Sequence, residues 1–231
     1  MWRNPFVHLN KKDRRVLAVS LLVVMLCNLS TPSAAWTTKI GVVVGAVALV
    51  FMAKGDVWGQ VLTVVFSVLY GITSWQFRYY GEMITYLGMT LPMALAAVFS
   101  WLRHPFQGNT AQVEIHRLTR SQRIGMMVGA IASTALFGVL LWWLNTPNLL
   151  FSTVSVTTSF LAAYLTYYRS SYYALAYAAN DVVLIVLWAL ASVKDTAFTP
   201  MIACFSVFLL NDLYAFSSWK RREKEQHTHI H

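Results

Sequence analysis

Apolar positions in this chain gather into long uninterrupted runs, with the polar positions confined to short breaks between them. A helix needs about 20 mostly apolar residues to cross the hydrocarbon core of a bilayer, and somewhat fewer suffice at the low end. Eight runs fall in that range, at about 15–31, 36–53, 57–75, 82–102, 124–144, 149–168, 172–192 and 198–219. None shows the strict alternation of a membrane β-strand, so the pattern predicts helices rather than a barrel. Most breaks are short: NKKDRR, AKGD, NTPN, YRSS and SVKDTAF. The exception runs from Arg103 to Arg123 and contains HPFQGNTAQVEIHRLTRSQR. It divides the chain into a basic segment with an extra N-terminal helix (1–35), a three-helix bundle (36–103), a loop with a linker helix (104–148), a second three-helix bundle (149–219) and a basic tail (220–231). A faint echo links the bundles: LYGITSWQFRYYGE near 69–82 and AYLTYYRSSYYALA near 163–176 each join an aromatic helix end, an Arg and a Tyr-Tyr. Paired repeats around a midplane site are a common transporter plan.

Composition agrees with this reading. The chain is 57% hydrophobic and only 12% charged, whereas a soluble domain carries about 25% charged residues. The net charge of +9 could suggest nucleic acid, but the positions of the cations argue against it. Arg3, Lys11, Lys12, Arg14 and Arg15 precede the first run, Arg103, Arg117, Arg120 and Arg123 lie in the long loop, and Lys220, Arg221, Arg222 and Lys224 follow the last run. With both termini inside, and with Lys54 and Arg169 added, the inner segments hold fifteen Lys/Arg; the outer ones hold Lys39, Arg78 and Lys194. The positive-inside bias therefore predicts an N-in, C-in multi-pass membrane protein with no nucleic-acid partner. VLAVSLLVVMLC followed by PSAA imitates a cleavable signal peptide, and a retained anchor is the expectation. Cys27 and Cys204 lie inside apolar runs, where cysteine acts as a small hydrophobe.

Polar residues inside the runs carry the candidate chemistry. YALAYAANDVVLIVLW holds Asn180 and Asp181, and CFSVFLLNDLYAFSSW holds Asn211 and Asp212. An Asp at the centre of a membrane helix costs about 2.5–3.5 kcal/mol on insertion scales, so such residues face a bundle interior or a wet cavity. Two readings stand side by side: hydrogen-bonded glue between helices, or a substrate pathway. Tyr173, Tyr177, Asn180, Leu184 and Trp188 share one helical stripe, and Phe208, Asn211 and Tyr214 are three apart on another. Asp181 is rotated about 100° from Asn180 and reads as glue, and the same division is expected of Asn211 and Asp212. Aromatic faces beside an amide suit a flat ring with hydrogen-bonding edges, although aromatic stripes in membrane helices also serve packing. The fourth run sets Glu82, Tyr86, Met89 and Met93 at helical spacing, with Glu82 equally suited to the helix start. Pro92 is expected to kink that helix. Trp75 and Gln76 close the third run, where an interfacial Trp is the ordinary expectation.

Several chemistries have no motif here. There is no phosphate-binding G-x-x-x-x-G-K-[ST] loop, no H-E-x-x-H, no Cys/His cluster at zinc spacing and no G-x-S-x-G elbow. No enzyme, cofactor or metal is expected, and the HTHIH tail reads as a solvated end.

YYGEMITYLGMTLPMALAAVFSW at 79–101 resembles the Tyr-Gly-Glu-Met segment of PnuC-type nicotinamide riboside transporters, and the two Asn-bearing runs resemble that family's Asn helices. The resemblance extends over nearly all of the chain after about residue 36. It implies an all-α fold with a 3+1+3 core similar to the SWEET sugar transporters, here plus one N-terminal helix, and a trimeric assembly surrounded by lipid. It also implies facilitated diffusion of nicotinamide riboside by alternating access, with trapping by a cytoplasmic kinase. Asn180 and Asn211 take the family's ligand-binding role; Tyr177, Trp188 and Tyr214, with Tyr173, Gln76, Trp75, Glu82 and Tyr86, complete the expected site. Many relatives carry Trp-x-x-Trp before the first Asn, and here the second aromatic is missing or displaced to Tyr177. That departure bears on vitamin preference, so a thiamine or riboflavin transporter of the same fold is the alternative, with an intramembrane enzyme or a scaffold as readings of another class.

Overall fold

In the computed structural model, residues 5–30, 35–107, 109–193 and 199–228 are described. Arg3, Lys194, most of the PSAA segment and the last three residues of the tail lie outside them. After a short 3-10 turn at Pro5–His8 come α1 (Lys11–Ser30), α2 (Trp36–Lys54), α3 (Val57–Gln76), α4 (Tyr80–Arg103), a hairpin of β1 (Pro105–Phe106) and β2 (Asn109–Val113), α5 (Arg120–Trp143), α6 (Leu149–Tyr167), α7 (Tyr173–Ser192) and α8 (Thr199–Thr228). The expected all-helical membrane architecture is present, and among the described residues seven helices, α2 to α8, are long and apolar enough to cross a membrane. Eight were expected. The difference is α1, whose first turns are Lys11, Lys12, Asp13, Arg14 and Arg15, charges that lower the hydropathy of any span-length window of its described residues.

Six helices close into a ring, each packed on the next in the order α2, α3, α4, α6, α7, α8 and back to α2. Two stand outside it. α1 packs on α2 and α8, and α5 packs chiefly on α6. The composition of α5 matches that place: only Ala130 and Leu141 are buried along it, while Ile124, Val128, Ile131, Leu136, Val139 and Trp143 are exposed. An all-round apolar helix with so little buried surface is stable only against lipid or a neighbour.

The hairpin end of the ring is tied by polar contacts, several of them buried. The long segment expected as a loop folds back as an antiparallel pair, and Val113 N–H donates to Gly55 O (2.9 Å). Thr119 and Gln122 then form a capping box that starts α5. The basic tail continues α8 as helix, and Gln226 bridges Ile115 N–H (2.8 Å) and Val113 O (3.1 Å). Trp101 and Trp219 pack at a tilt, 5.6 Å apart, and donate to Thr166 O (2.9 Å) and Met52 O (2.8 Å) near the ends of α6 and α2. Arg222 reaches Lys54 O. Arg169, left-handed at φ 57°, donates to Ser100 Oγ (2.9 Å) and Glu114 O (3.1 Å). Bonds from a charged donor contribute about 1.5–3 kcal/mol, so Arg169→Ala should lower the unfolding midpoint and expose the hairpin to limited proteolysis, which a protease time course would show.

Pro92 leaves α4 unbroken. A π turn at Tyr86–Thr90 lies immediately before it, and Leu91 N–H reaches back to Tyr86 O. Proline lacks the N–H for the regular bond and its ring crowds the carbonyl four residues earlier; the wider π turn absorbs both, as such turns commonly do near functional sites.

Candidate functional site

The ring encloses a cavity at mid-depth, lined by Gly45, Ala48 and Leu49 of α2, Thr63 and Phe66 of α3, Tyr86 and Thr90 of α4, Ser159 of α6, Tyr177, Asn180 and Asp181 of α7, and Phe205, Phe208 and Asp212 of α8. All six ring helices contribute; α1 and α5 contribute nothing. Its free space is about 50 Å³, room for a few waters at most.

Asn180 is the fixed polar point. It is 2% exposed, and its Oδ1 accepts from Thr158 Oγ1 (2.8 Å) and Ser159 Oγ (3.0 Å) of α6. With the carbonyl held by two hydroxyls, the amide plane is set. Asp181 and Asp212 are also buried, and their side chains meet across the α7–α8 contact. Asp181 Oδ2, Asp212 Oδ1 and Thr90 Oγ1 have no hydrogen-bond partner. Tyr86 and Thr90, at the two ends of the π turn, both reach the cavity, as residues four apart share a helix face.

Aromatic rings close both ends. Phe66, Phe205 and Phe208 pack edge-on at 5.5–5.6 Å, and Tyr70 lies 4.1 Å from Tyr86. Above them Trp188 Nε1 donates to Tyr70 OH (3.2 Å), and Tyr79 covers the indole at 4.8 Å. Toward the hairpin, Tyr177 is followed by Tyr173, which packs on Trp219 at 4.7 Å.

Of the expected site residues, the structure brings Asn180, Tyr177 and Tyr86 to the cavity. Trp188 and Tyr173 stand in the aromatic layers beyond it and are fully buried. Glu82 is buried away from the cavity, accepting from Ser155 Oγ (3.1 Å), with its Oε2 unpartnered. Trp75 and Gln76 lie at the exposed end of α3, where Gln76 Oε1 accepts from Thr37 Oγ1 (3.1 Å). Asn211 and Tyr214 turn outward to α1: Asn211 Nδ2 donates to Ser20 Oγ (2.9 Å), and Tyr214 OH donates to Asp13 Oδ1 (2.7 Å). The expected division of the second pair is thus inverted, with Asp212 on the cavity and Asn211 between helices. Three-residue steps drift by about 60° each, so Phe208, Asn211 and Tyr214 slide off the stripe, while Asp212, four residues on, stays near it. Asp181 reaches the cavity for a related reason. A helix flanked by neighbours on both sides presents an arc of 100° or more to the interior, wide enough for Asn180 and Asp181 together. Phe66, Phe205, Thr90 and Ser159 were not singled out from sequence; only the run of small hydroxyls in SVTTSF of α6 offered a signal.

A closed ring of membrane helices around a small, buried, aromatic and amide-lined cavity defines the class: a polytopic α-helical membrane protein with a cavity at mid-depth. A sequence model described as "Nicotinamide mononucleotide transporter" matches residues 35–221, and the chain belongs to that family. It is similar to the nicotinamide riboside transporter PnuC of Neisseria mucosa, 24% identical over 82% of this chain and 73% of that one. The protein of the same name from Haemophilus influenzae is 24% identical over 90% of this chain and 89% of its own. A crystal structure of the vitamin B3 transporter PnuC superimposes with a TM-score of 0.82 over 94% of both chains at 22% identity, a likeness of fold.

Proposed function

We propose that this protein imports nicotinamide riboside across the bacterial inner membrane, with both termini in the cytoplasm and the hairpin on that side. The cavity carries the reading: it lies at mid-depth, all six ring helices line it, and aromatic layers close it at both ends. The relatives named as riboside transporters extend along most of the chain and support the substrate. The ring fits a SWEET-like 3+1+3 plan, with α2–α4 and α6–α8 as the two triplets, α5 as the linker, and α1 as an eighth membrane helix strapped outside.

In this scheme Asn180 holds the carboxamide or ribose, while Tyr177, Tyr86 and the phenylalanines cover the ring faces. A riboside is far larger than 50 Å³, so the described conformation is an occluded one, and binding separates the aromatic layers of one end. Rocking of one triplet against the other then alternates access, with Tyr79, Tyr70 and Trp188 as the outer barrier and Tyr173, Trp219 and Trp101 as the inner. Movement is downhill, and phosphorylation in the cytoplasm retains the product. Sub-millimolar affinity needs about 5 kcal/mol, within reach of one amide and several ring contacts. The exposed face of α5 suits a trimer contact.

Uptake of labelled nicotinamide riboside into proteoliposomes, competed by unlabelled riboside, thiamine and riboflavin, tests the reading. Saturable uptake blocked best by the riboside supports it. Uptake no faster than in protein-free vesicles refutes it, and stronger competition by another vitamin assigns the transport to that vitamin. Asn211→Ala should leave riboside affinity within about twofold and reduce thermal stability by about 1 kcal/mol, the contribution of an ordinary side-chain hydrogen bond; calorimetry and a melting curve on the same preparation separate the two.

A further inference from the structure

Asp181 and Asp212 stand out because nothing positive faces them. They are 4% and 2% exposed, on α7 and α8, and they touch inside the cavity wall. The titratable groups nearest them are Tyr86 of α4, Tyr173 and Tyr177 of α7 and Cys204 of α8, phenols and a thiol without positive charge. No Lys, Arg or His lines the cavity. A carboxyl pair that served only to join helices would be expected to have its oxygens occupied, as Asn211 has with Ser20 and Val207 O. Here Asp181 Oδ2 and Asp212 Oδ1 are free, and so is Thr90 Oγ1, on a residue 6% exposed and on the cavity wall.

Burying acids without a counter-charge is costly and persists where function uses the charge. Two adjacent carboxyls with free oxygens and no Lys, Arg or His on the cavity wall can meet an entering cation with a carboxylate. A neutral ring of the same shape gains nothing from them. Among the described residues no group of three or more His, Cys, Asp or Glu is placed to hold a metal ion, and the other walls are the rings of Tyr86, Phe205 and Phe208, which favour a flat organic cation.

We propose that Asp181 and Asp212 read the charge of the substrate, so that the cavity takes singly cationic aromatic rings and rejects neutral rings of the same shape. The proposal rests on the riboside reading above. The pyridinium of nicotinamide riboside is permanently charged, and its dihydro form is a neutral ring of nearly the same outline. Calorimetric binding of both to the purified full-length protein tests the idea. The cationic riboside should bind at least tenfold more tightly than the dihydro form. Asp181→Asn and Asp212→Asn, which keep shape and remove charge, should lose at least tenfold for the cation while binding of the neutral form stays within threefold. Equal affinity of the two ribosides for the parent protein overturns the proposal, as does retention of the parental preference in both variants. If a variant does not fold, the comparison on the parent protein decides alone. Failure of the cationic riboside to bind the parent refutes the riboside reading itself, and this proposal with it, a result distinct from equal binding.

Discussion

Asn180→Ala should bind nicotinamide riboside about 5- to 150-fold more weakly than the parent, the equivalent of the 1–3 kcal/mol lost when a buried polar partner is removed. The change acts twice. It removes the amide from the ligand, and it releases Thr158 and Ser159, whose hydroxyls hold that amide. Folding should suffer less than binding. Thr158 Oγ1 already has alternative acceptors in Val154 O (3.1 Å) and Ser155 O (3.1 Å), so at least one hydroxyl keeps a partner within its own helix. Calorimetry together with a thermal unfolding curve distinguishes these effects. A parental dissociation constant in the variant would remove Asn180 from the site.

Two glycines supply the second large effect, and they should fail differently. A Cβ on Gly59 of α3 would stand 2.5 Å from the backbone nitrogen of Met52 and 2.6 Å from its Cγ. Backbone cannot step aside, so Gly59→Ala must part α2 from α3 next to their connecting turn. Overpacking of this kind costs about 1–3 kcal/mol, and a drop in melting temperature with loss of monodisperse protein is expected. A Cβ on Gly45 of α2 would instead stand 2.3 Å from Phe208 Cζ, the far end of a ring. Phe208 can yield, but it borders the cavity, and a displaced ring intrudes on 50 Å³ of free space. Gly45→Ala should therefore remain folded and lose riboside uptake at least tenfold. Parental uptake in folded Gly45→Ala vesicles would show that Phe208 does not limit the site.

Both predictions depend on a ring of helices that sequence periodicity anticipated only in part. The runs of apolar residues located α2 to α8 to within a few residues at most ends, because a membrane span is fixed by length and hydropathy, which are local quantities. The exceptions have several causes. α1 begins in five charged residues, α8 runs on through the basic tail because Gln226 and Arg222 dock it on the hairpin end, and the helix continues through Pro92 by way of a π turn.

The candidate site was less legible. Asn180 and Tyr177 were found because an amide beside an aromatic on one stripe is an unusual pattern in a membrane helix. Asn211 followed the same rule and led elsewhere, since the sequence does not say which helix lies behind α8. There α1 supplies Ser20 and Asp13, and Asn211 and Tyr214 satisfy themselves on it. Asp212 took the inward place.

From the sequence alone follow the membrane, the helices and their limits, the charge asymmetry of the two faces, and the presence of polar residues at mid-depth, for each depends on residues near one another in the chain. Which neighbours α7 and α8 have depends on contacts between residues far apart in sequence, such as Ser20 with Asn211 and Ser159 with Asn180. Those contacts set the rotation of each helix about its axis, and a rotation of some 100° decides whether an Asn or the adjacent Asp faces the cavity. Only the tertiary structure could make that choice, and it put Asn180 and Asp181 together on α7 and Asp212 opposite them on α8.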